Sequence, residues 1–172
     1  DPQTVSIDCR DFPEPPDSFL KHSGGVYVDC LIHEFDILSF ALGFGGNDCK
    51  VKLVDQHVQD NESKQLEKQI EFIKSSTVVL GTDSGKSAVV RFCRRFADRY
   101  VHTIALDNGT KLDPLLPQGS SFADRYSDAF RNLLNTFIRI MHGTANEEDV
   151  GRIPDAAQCL HLNRLCWECV AN

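Results

Sequence analysis

This sequence lacks the features that would place it in a membrane or on a nucleic acid. None of its apolar runs is long enough to span a bilayer, so no membrane-crossing helix is predicted within it. Basic residues are in the minority: 18 lysines and arginines stand against 25 aspartates and glutamates, and the formal net charge is −7. Because a field of that sign repels phosphate, we expect no nucleic-acid partner. The lack of a membrane-length apolar run gives the further expectation of no membrane contact.

The sequence also lacks the regular, even-numbered cysteine spacing of a disulfide-stabilised domain. Its seven cysteines are an odd number, and several of them lie in apolar runs where a thiol acts as a small hydrophobe. This usage is typical of a reducing compartment, so the expected location is cytoplasmic. The first residue is Asp1 rather than Met, which indicates a piece of a longer protein. One option is that the chain is the intracellular part of a membrane receptor. The cysteines are Cys9, Cys30, Cys49, Cys93, Cys159, Cys166 and Cys169.

The composition that is present suits one globular domain of 172 residues. Hydrophobic residues make up 41% and charged residues 25%, enough for an ordinary core. Proline and glycine punctuate residues 1–25, which we interpret as an extended leader with a short edge strand at Val5 to Ile7. The main domain is predicted over residues 26–143, and residues 144–172 are predicted to form a C-terminal helical extension.

From residue 26 onward, apolar runs and helical periods alternate along the chain. Strands are predicted at residues 26–28, 50–54, 76–80 and 101–106, and helices at residues 33–43, 60–74, 87–100 and 122–141. The last of these helices has the clearest apolar stripe, from Phe122 to Met141. Strand and helix at this spacing predict βαβ units. The fold class is therefore α/β: a flavodoxin-like, doubly wound parallel sheet of four to five strands with helices on both faces.

A glycine-rich loop between the third strand and the next helix raises the possibility of phosphate binding. In a P-loop, backbone amides surround the phosphates, a lysine reaches them and a serine binds Mg²⁺, roles open here to Lys86 and Ser87. However, Gly81 and Gly85 enclose three residues instead of the four that the motif requires. We therefore favour an ordinary tight turn and expect no cofactor, with Lys86 and Ser87 as the alternative nucleotide site.

Four possible zinc ligands lie close together near the C-terminus: Cys159, His161, Cys166 and Cys169. Cys159 and His161 are two residues apart, a spacing that separates their side chains on either a strand or a helix. We favour a terminal amphipathic helix that packs Leu162, Leu165 and Cys169 inward, with a metal as the alternative. The six histidines belong to no recognisable nucleophile motif, and His102 is interpreted as a core histidine, so no catalytic residue is predicted.

A cluster of arginines on the helix predicted at residues 87–100 suggests a protein interface instead. Arginine favours interfaces because its planar fork pairs with carboxylates and stacks on other groups. The alternative is an ordinary solvated helix face. Phe72, which lies off the apolar face of the preceding helix, is either an exposed anchor or a side chain folded over the sheet edge. The predicted interface comprises Ser87, Arg91, Arg94, Arg95, Asp98 and Phe72.

The order of these segments resembles the SEFIR domain, a TIR-related module of interleukin-17 receptors and their adaptors. The first box of that family is matched by residues 26–30, the second by residues 47–55 and the third strand with its lead-in helix by residues 71–81. Residues 100–107, 113–116 and the helix from Phe122 match the later segments. Two departures are present: Leu31-Ile32 replaces the usual Tyr-Ser, and the insertions of many receptor SEFIR domains are missing.

This resemblance implies a non-enzymatic signalling module in immunity that binds other SEFIR-containing receptors or adaptors homotypically, with a homodimer as a further option. In that family the helix after the third strand takes part in the contact, which coincides with the arginine cluster. Some TIR relatives cleave NAD with a glutamate on this helix, and residues 87–98 contain no glutamate. The missing glutamate argues against NAD cleavage. The alternatives to the signalling module are a nucleotide-binding switch and, less favoured, a TIR-like NAD-cleaving enzyme.

Overall fold

The computed structural model describes residues 2–10, 16–20, 22–46, 48–58, 73–94, 101–112, 122–151 and 153–171. The chain divides into two compact units, one formed by Asp1–Pro114 with Leu160–Asn172 and the other by Leu115–Cys159. None of the helices in the described ranges is long and apolar enough to cross a membrane. The domain boundaries predicted at residues 25 and 143 stay a prediction.

Within the described residues, the larger unit contains six strands, three helices and one π-helical turn. The strands are β1 (Thr4–Arg10), β2 (Lys50–Val58), β3 (Ile73–Gly81), β4 (Ser87–Cys93), β5 (Val101–Leu106) and β6 (Lys111–Leu112). The helical segments are α1 (Asp17–Leu20), the π-helical turn Tyr27–Leu31 and α2 (Ile32–Ala41). The C-terminal helix α5 (Ala156–Ala171) returns to this unit from Leu160 onward.

The six strands form one mixed sheet in the order β2-β3-β4-β1-β5-β6. β1 and β4 pair in parallel, whereas the β1–β5, β2–β3, β3–β4 and β5–β6 pairs are antiparallel. The α/β class is confirmed, but the predicted doubly wound parallel sheet of four to five strands is wrong. β3 and β4 form a hairpin, and a hairpin places its strands antiparallel.

One face of this sheet, which we call the covered face, carries the core in rows that cross four strands. Successive side chains of a strand point to opposite faces, so residues aligned by strand pairing share a face. The first row is Leu80, Ala88, Val5 and Leu106, and the second is Val78, Val90, Ile7 and Ile104. The third row is Ser76, Phe92, Cys9 and His102, so the core becomes polar toward the end of β1.

Apolar side chains from the π-helical turn, α2 and α5 pack into the same core cluster as these rows. Tyr27, Leu31, Phe35 and Leu38 are fully buried there. The predicted packing of the terminal helix is confirmed: Leu162, Leu165 and Cys169 are buried, while Trp167 is exposed. At about 1.5–3 kcal/mol for each large apolar side chain removed from water, this burial is the main source of stability.

Three predictions of local structure are wrong in this unit. The segment predicted as a helix from residue 87 begins with β4, because Ala88, Val90 and Phe92 alternate inward with period two and pair with β1 and β3. The strand predicted at residues 26–28 is helical. Finally, β1 is a central strand between β4 and β5 rather than an edge strand.

The smaller unit contains α3 (Phe122–Met141) and α4 (Glu147–Gly151). The predicted helix from Phe122 to Met141 is confirmed at both ends. Its apolar stripe is largely exposed, including Phe130, Leu133, Phe137 and Met141. The helix predicted over residues 60–74 falls mostly outside the described ranges, and its last two residues, Ile73 and Lys74, begin β3.

Candidate active site

A buried arginine, Arg94, lies next to the third row, at the polar end of the covered face. Arg94 follows β4 by one residue and is two positions after Phe92, the β4 member of the third row. Its side chain is fully buried. Because a guanidinium stays protonated at any ordinary pH, this position holds a permanent buried cation that requires an anionic partner.

That partner is Asp29, from the π-helical turn. Arg94 Nη2 lies 2.5 Å from Asp29 Oδ2 and donates to it. The same nitrogen lies 3.1 Å from Cys30 Sγ. Within the described part of the chain, Arg94 Nε and Nη1 have no hydrogen-bond acceptor. Asp29 is partly accessible, so this ion pair connects the buried end of the sheet to the surface.

A second acid pairs with a histidine at the same end of the sheet. His102 Nε2 lies 2.8 Å from Glu34 Oε2, and both side chains are largely buried. The hydrogen bond to Glu34 raises the pKa of His102, against the opposing effect of burial. The imidazolium is therefore stabilised by the carboxylate, and the interpretation of His102 as a core histidine with a satisfied partner is confirmed.

His33 lies one helical turn after Asp29. His33 is four residues after Asp29, and four residues of helix make about one turn, with the first part of this segment π-helical and the second α-helical. Asp29 and His33 therefore lie on the same helix face. His33 is exposed. π-Helical turns are rare and occur frequently at functional sites. The π-helical turn and the start of α2 thus present a carboxylate and an accessible imidazole on one face, and the buried Arg94 pairs with the carboxylate.

These groups can bind hydroxyls and move a proton. An accessible imidazole can accept a proton from an alcohol, and a carboxylate can accept a hydrogen bond from a neighbouring hydroxyl. Arg94 holds the Asp29 carboxylate in one orientation through the ion pair at 2.5 Å. We refer to Asp29, His33 and Arg94 as the acid–imidazole site.

The face of the sheet opposite the core, which we call the open face, carries a shallow depression of about 250 Å³. Asp8, Arg10, Thr77 and Arg91 are among its lining residues. Arg10 donates to Asp8 at 2.7 Å, so the two charges compensate each other. No histidine lines this depression, so it offers no imidazole for proton transfer, whereas the acid–imidazole site does.

The structure separates the residues of the predicted interface. Arg91 is exposed on the open face, whereas Arg94 is buried on the other side of the sheet against Asp29. Ser87 is half-buried at the start of β4. Over Ser87–Cys93 the segment is a strand, so Ser87, Arg91 and Arg94 do not share a helix face. Phe72, Arg95 and Asp98 lie outside the described residues, and the interface itself stays a prediction.

The loop containing Lys86 and Ser87 is a hairpin turn. It joins the antiparallel strands β3 and β4, with Gly85 at φ +88° and Gly85 N donating to Thr82 O. A phosphate-binding loop instead places its amides at the start of a helix. Lys86 Nζ lies 6.0 Å from the Phe44 ring centroid. The turn interpretation is confirmed, and the helix context required by the nucleotide alternative is absent.

The four possible zinc ligands lie on α5 but do not converge. Cys159 is exposed, whereas His161, Cys166 and Cys169 are buried. Burial raises the pKa of Cys166 to about 12, which disfavours the thiolate that zinc requires. Across the residues that the structure describes, no group of three or more His, Cys, Asp or Glu side chains is placed to hold a metal ion.

Sequence reasoning missed Asp29, His33 and Glu34. Assigning residues 26–28 to a strand hid the fact that Asp29 and His33 are four residues apart on a continuous helical segment. That acid–histidine spacing was the available signal. The partnership with Arg94 joins residues 65 positions apart in the chain and leaves no local pattern.

Comparisons with known proteins point to inositol dehydrogenases. The chain is 28% identical over 157 residues to inositol 2-dehydrogenase from Rhizobium meliloti (strain 1021), covering 79% of this chain and 45% of that protein. It is also 28% identical over 169 residues to scyllo-inositol 2-dehydrogenase (NAD(+)) from Bacillus subtilis (strain 168), covering 95% of this chain and 42% of that protein. No family model matches the chain.

Solved structures give the same picture. A crystal structure from Sinorhizobium meliloti 1021, provisionally described as a myo-inositol dehydrogenase, matches with a TM-score of 0.73 and 25% identity. The match covers 99% of this chain and 55% of that one. The chain therefore spans about half the length of the relatives it matches.

These relatives overturn the SEFIR assignment and what it implied. The similar proteins are dehydrogenases, so a signalling role in interleukin-17 pathways or immunity and SEFIR-containing receptor or adaptor partners are wrong. These relatives give no support to the intracellular part of a membrane receptor. The expectation that the chain is not an enzyme is wrong for the same reason. Among the alternatives, a nucleotide-binding enzyme is nearer to these relatives than the signalling module is. The assignment of Lys86 and Ser87 to a nucleotide site stays a prediction.

Proposed function

We propose that this chain forms the substrate-binding and proton-accepting part of a cyclitol dehydrogenase, which oxidises a secondary alcohol of an inositol to a ketone. The observation that carries the proposal is the acid–imidazole site. In this site the accessible His33 lies one helical turn from Asp29, and the buried Arg94 donates a hydrogen bond to Asp29. The names of the relatives supply the substrate class.

Each residue of the site has a distinct role in this proposal. His33 accepts the proton of the reacting hydroxyl as the carbonyl forms. Asp29 accepts a hydrogen bond from a hydroxyl of the ring and so orients the substrate beside the imidazole. Arg94 is a positioning residue, because it is buried and acts on the substrate through Asp29.

Alcohol oxidation also requires a hydride acceptor, and the name of the Bacillus relative gives NAD(+). The residues described here do not fit a dinucleotide. The glycine-rich loop at Gly81–Gly85 joins two antiparallel strands instead of a strand and a helix, and the sheet has one parallel pair within the described strands. We therefore assign no step of the hydride transfer to this chain.

The test is an assay of the purified protein containing this chain with myo-inositol or scyllo-inositol and NAD(+), followed by the absorbance of NADH. His33→Gln is expected to reduce kcat by about 10²–10⁴-fold, the usual contribution of a general base. The matched control is His142→Gln, because His142 is an exposed histidine in the turn after α3 and lies outside the site.

Binding provides an arm that does not depend on turnover. Addition of either inositol should shift the NMR resonances of the His33 ring and leave those of His142 unchanged. If neither inositol produces NADH and neither shifts the His33 resonances, the proposed function is wrong. Equal activities of His33→Gln and the wild-type protein would remove His33 from the role of base.

A further inference from the structure

Cys30 lies in the same π-helical turn as Asp29 and against the same buried arginine. Its sulfur is 3.1 Å from Arg94 Nη2 and 3.6 Å from Asp29 Oδ2. The residue is half-buried. Arg94 is fully buried and has two further donors, Nε and Nη1, without an acceptor among the described residues. The site therefore contains more buried donor capacity than Asp29 satisfies.

We propose that Cys30 is a reactive thiol and a site of reversible oxidation by hydroperoxides. A guanidinium in contact with the sulfur favours the thiolate, which is the nucleophilic form. The Asp29 carboxylate opposes this effect, because it lies 3.6 Å from the sulfur and pairs with the same Arg94 nitrogen at 2.5 Å. A sulfenic acid formed at Cys30 would present a new oxygen acceptor to the guanidinium.

The reaction balances with hydrogen peroxide as the oxidant. The thiol first releases its proton to solvent, and the sulfur then attacks one peroxide oxygen. An S–O bond forms as the O–O bond breaks, the sulfur is oxidised by two electrons, and the departing hydroxide takes up a proton to become water. A dithiol such as dithiothreitol reverses the step by reducing the sulfenic acid back to the thiol.

Burial makes three of the other cysteines poor nucleophiles. Burial raises the pKa of Cys49 to about 11 and that of Cys166 to about 12, and it raises the pKa of Cys169 further. Thiols with such values are unreactive near neutral pH. Cys159 is exposed on α5 and provides an internal reference for simple accessibility.

The first experiment measures alkylation of the purified protein by iodoacetamide as a function of pH, with each cysteine quantified by peptide mass spectrometry. The alkylation rate at Cys30 should reach half its maximum at a pH about one unit below the pH at which the Cys159 rate does. With each rate expressed as a fraction of its own maximum, Cys30 should therefore react about tenfold faster than Cys159 at low pH. A Cys30 profile that coincides with or lies above that of Cys159 overturns the proposal.

Two variants identify the origin of the reactivity. Asp29→Asn removes the opposing carboxylate and should raise the rate at Cys30, whereas Arg94→Lys retains a cation and should stay within about threefold of the wild-type rate. Arg94→Gln should lower the rate about tenfold, provided that circular dichroism shows a folded protein. An unchanged rate in folded Arg94→Gln overturns the role of Arg94. If Arg94→Gln fails to fold, the pH profile of Cys30 alkylation in the wild-type protein still decides whether the thiol is reactive.

The consequence for activity rests on the proposed function. Because Cys30 adjoins Asp29, hydrogen peroxide should abolish inositol-dependent NADH formation, dithiothreitol should restore it, and Cys30→Ser should retain activity but resist peroxide. Fast alkylation of Cys30 in a protein without dehydrogenase activity would support the proposal of a reactive thiol and refute the proposed function. An active enzyme with an unreactive Cys30 would refute the thiol and leave the function intact.

Discussion

Arg94 Nη2 lies 2.5 Å from Asp29 Oδ2, and the side chain of Arg94 is 1% exposed while that of Asp29 is 27% exposed. Removal of the acid leaves a buried guanidinium without a counter-charge, which typically costs about 3 kcal/mol or more. We therefore expect Asp29→Asn to lower the free energy of unfolding by about 3 kcal/mol, measured by urea denaturation of the purified protein.

An exposed ion pair on α3 provides the matched control for that measurement. Arg131 Nη1 lies 2.6 Å from Asp128 Oδ1, but the two side chains are 66% and 83% exposed. Because solvent screens such pairs, Asp128→Asn should leave the denaturation midpoint almost unchanged. Similar losses in Asp128→Asn and Asp29→Asn would show that burial of Arg94 does not decide the effect.

The contact between His102 and Glu34 predicts a pH-dependent stability. The hydrogen bond to Glu34 raises the folded-state pKa of His102 above its unfolded value, which is about 6.5. The stabilisation is therefore complete below about pH 6.5 and is lost as the pH rises through the folded-state pKa. His102→Gln should destabilise the protein more at low pH than at high pH, as measured by urea denaturation across that range.

The reciprocal variant tests the source of this dependence. Glu34→Gln leaves the imidazole in place but removes the carboxylate that raises the pKa of His102. It should flatten the same part of the stability–pH curve. If the curve above about pH 6.5 keeps its slope in both variants, another group is responsible for it.

His161 predicts a dependence of the opposite sign. Burial in the first place, and the Arg164 cation in the second, lower its folded-state pKa. Its contribution to stability is present above the unfolded pKa of about 6.5 and is lost as the pH falls through the folded-state value. His161→Gln should therefore make the protein less sensitive to acid than the wild-type protein, as followed by circular dichroism. An unaltered acid transition would contradict this assignment.

Elements defined by a local pattern were predictable from the sequence. The 3.6-residue apolar stripe located α3 from Phe122 to Met141, and a short apolar run followed by Asp107-Asn108-Gly109 located β5. In both cases the signal lies within about 20 residues of chain. Partners elsewhere in the fold were not needed to define these elements.

Elements defined by pairing were not predictable in this way. The apolar residues after Ser87 fit a helical period as well as a strand alternation, and hydrogen bonding to β1 and β3 decides for the strand. Asp29 and Arg94 meet only because that strand ends beside the π-helical turn. The candidate site was therefore hidden until the topology of the sheet was known.

The connection between α3 and α4 depends on a two-pronged contact of Arg139 with Asp149. Arg139 Nε donates to Asp149 Oδ2 at 2.9 Å, and Nη2 donates to Oδ1 of the same carboxylate. Asn146 and Asp149 also cap each other: Asp149 N donates to Asn146 Oδ1 at 2.8 Å, and Asn146 N donates to Asp149 Oδ2 at 3.3 Å. A lysine carries the same charge but cannot form both prongs.

Arg139→Lys should consequently speed amide hydrogen exchange in α4, because a five-residue helix depends on its cap and on this contact for its order. Exchange in β1 should stay unchanged, since β1 belongs to the other compact unit. Asn146→Ala should produce the same local effect by removing the side-chain cap while leaving the arginine in place. Wild-type exchange rates in both variants would mean that neither contact orders this helix.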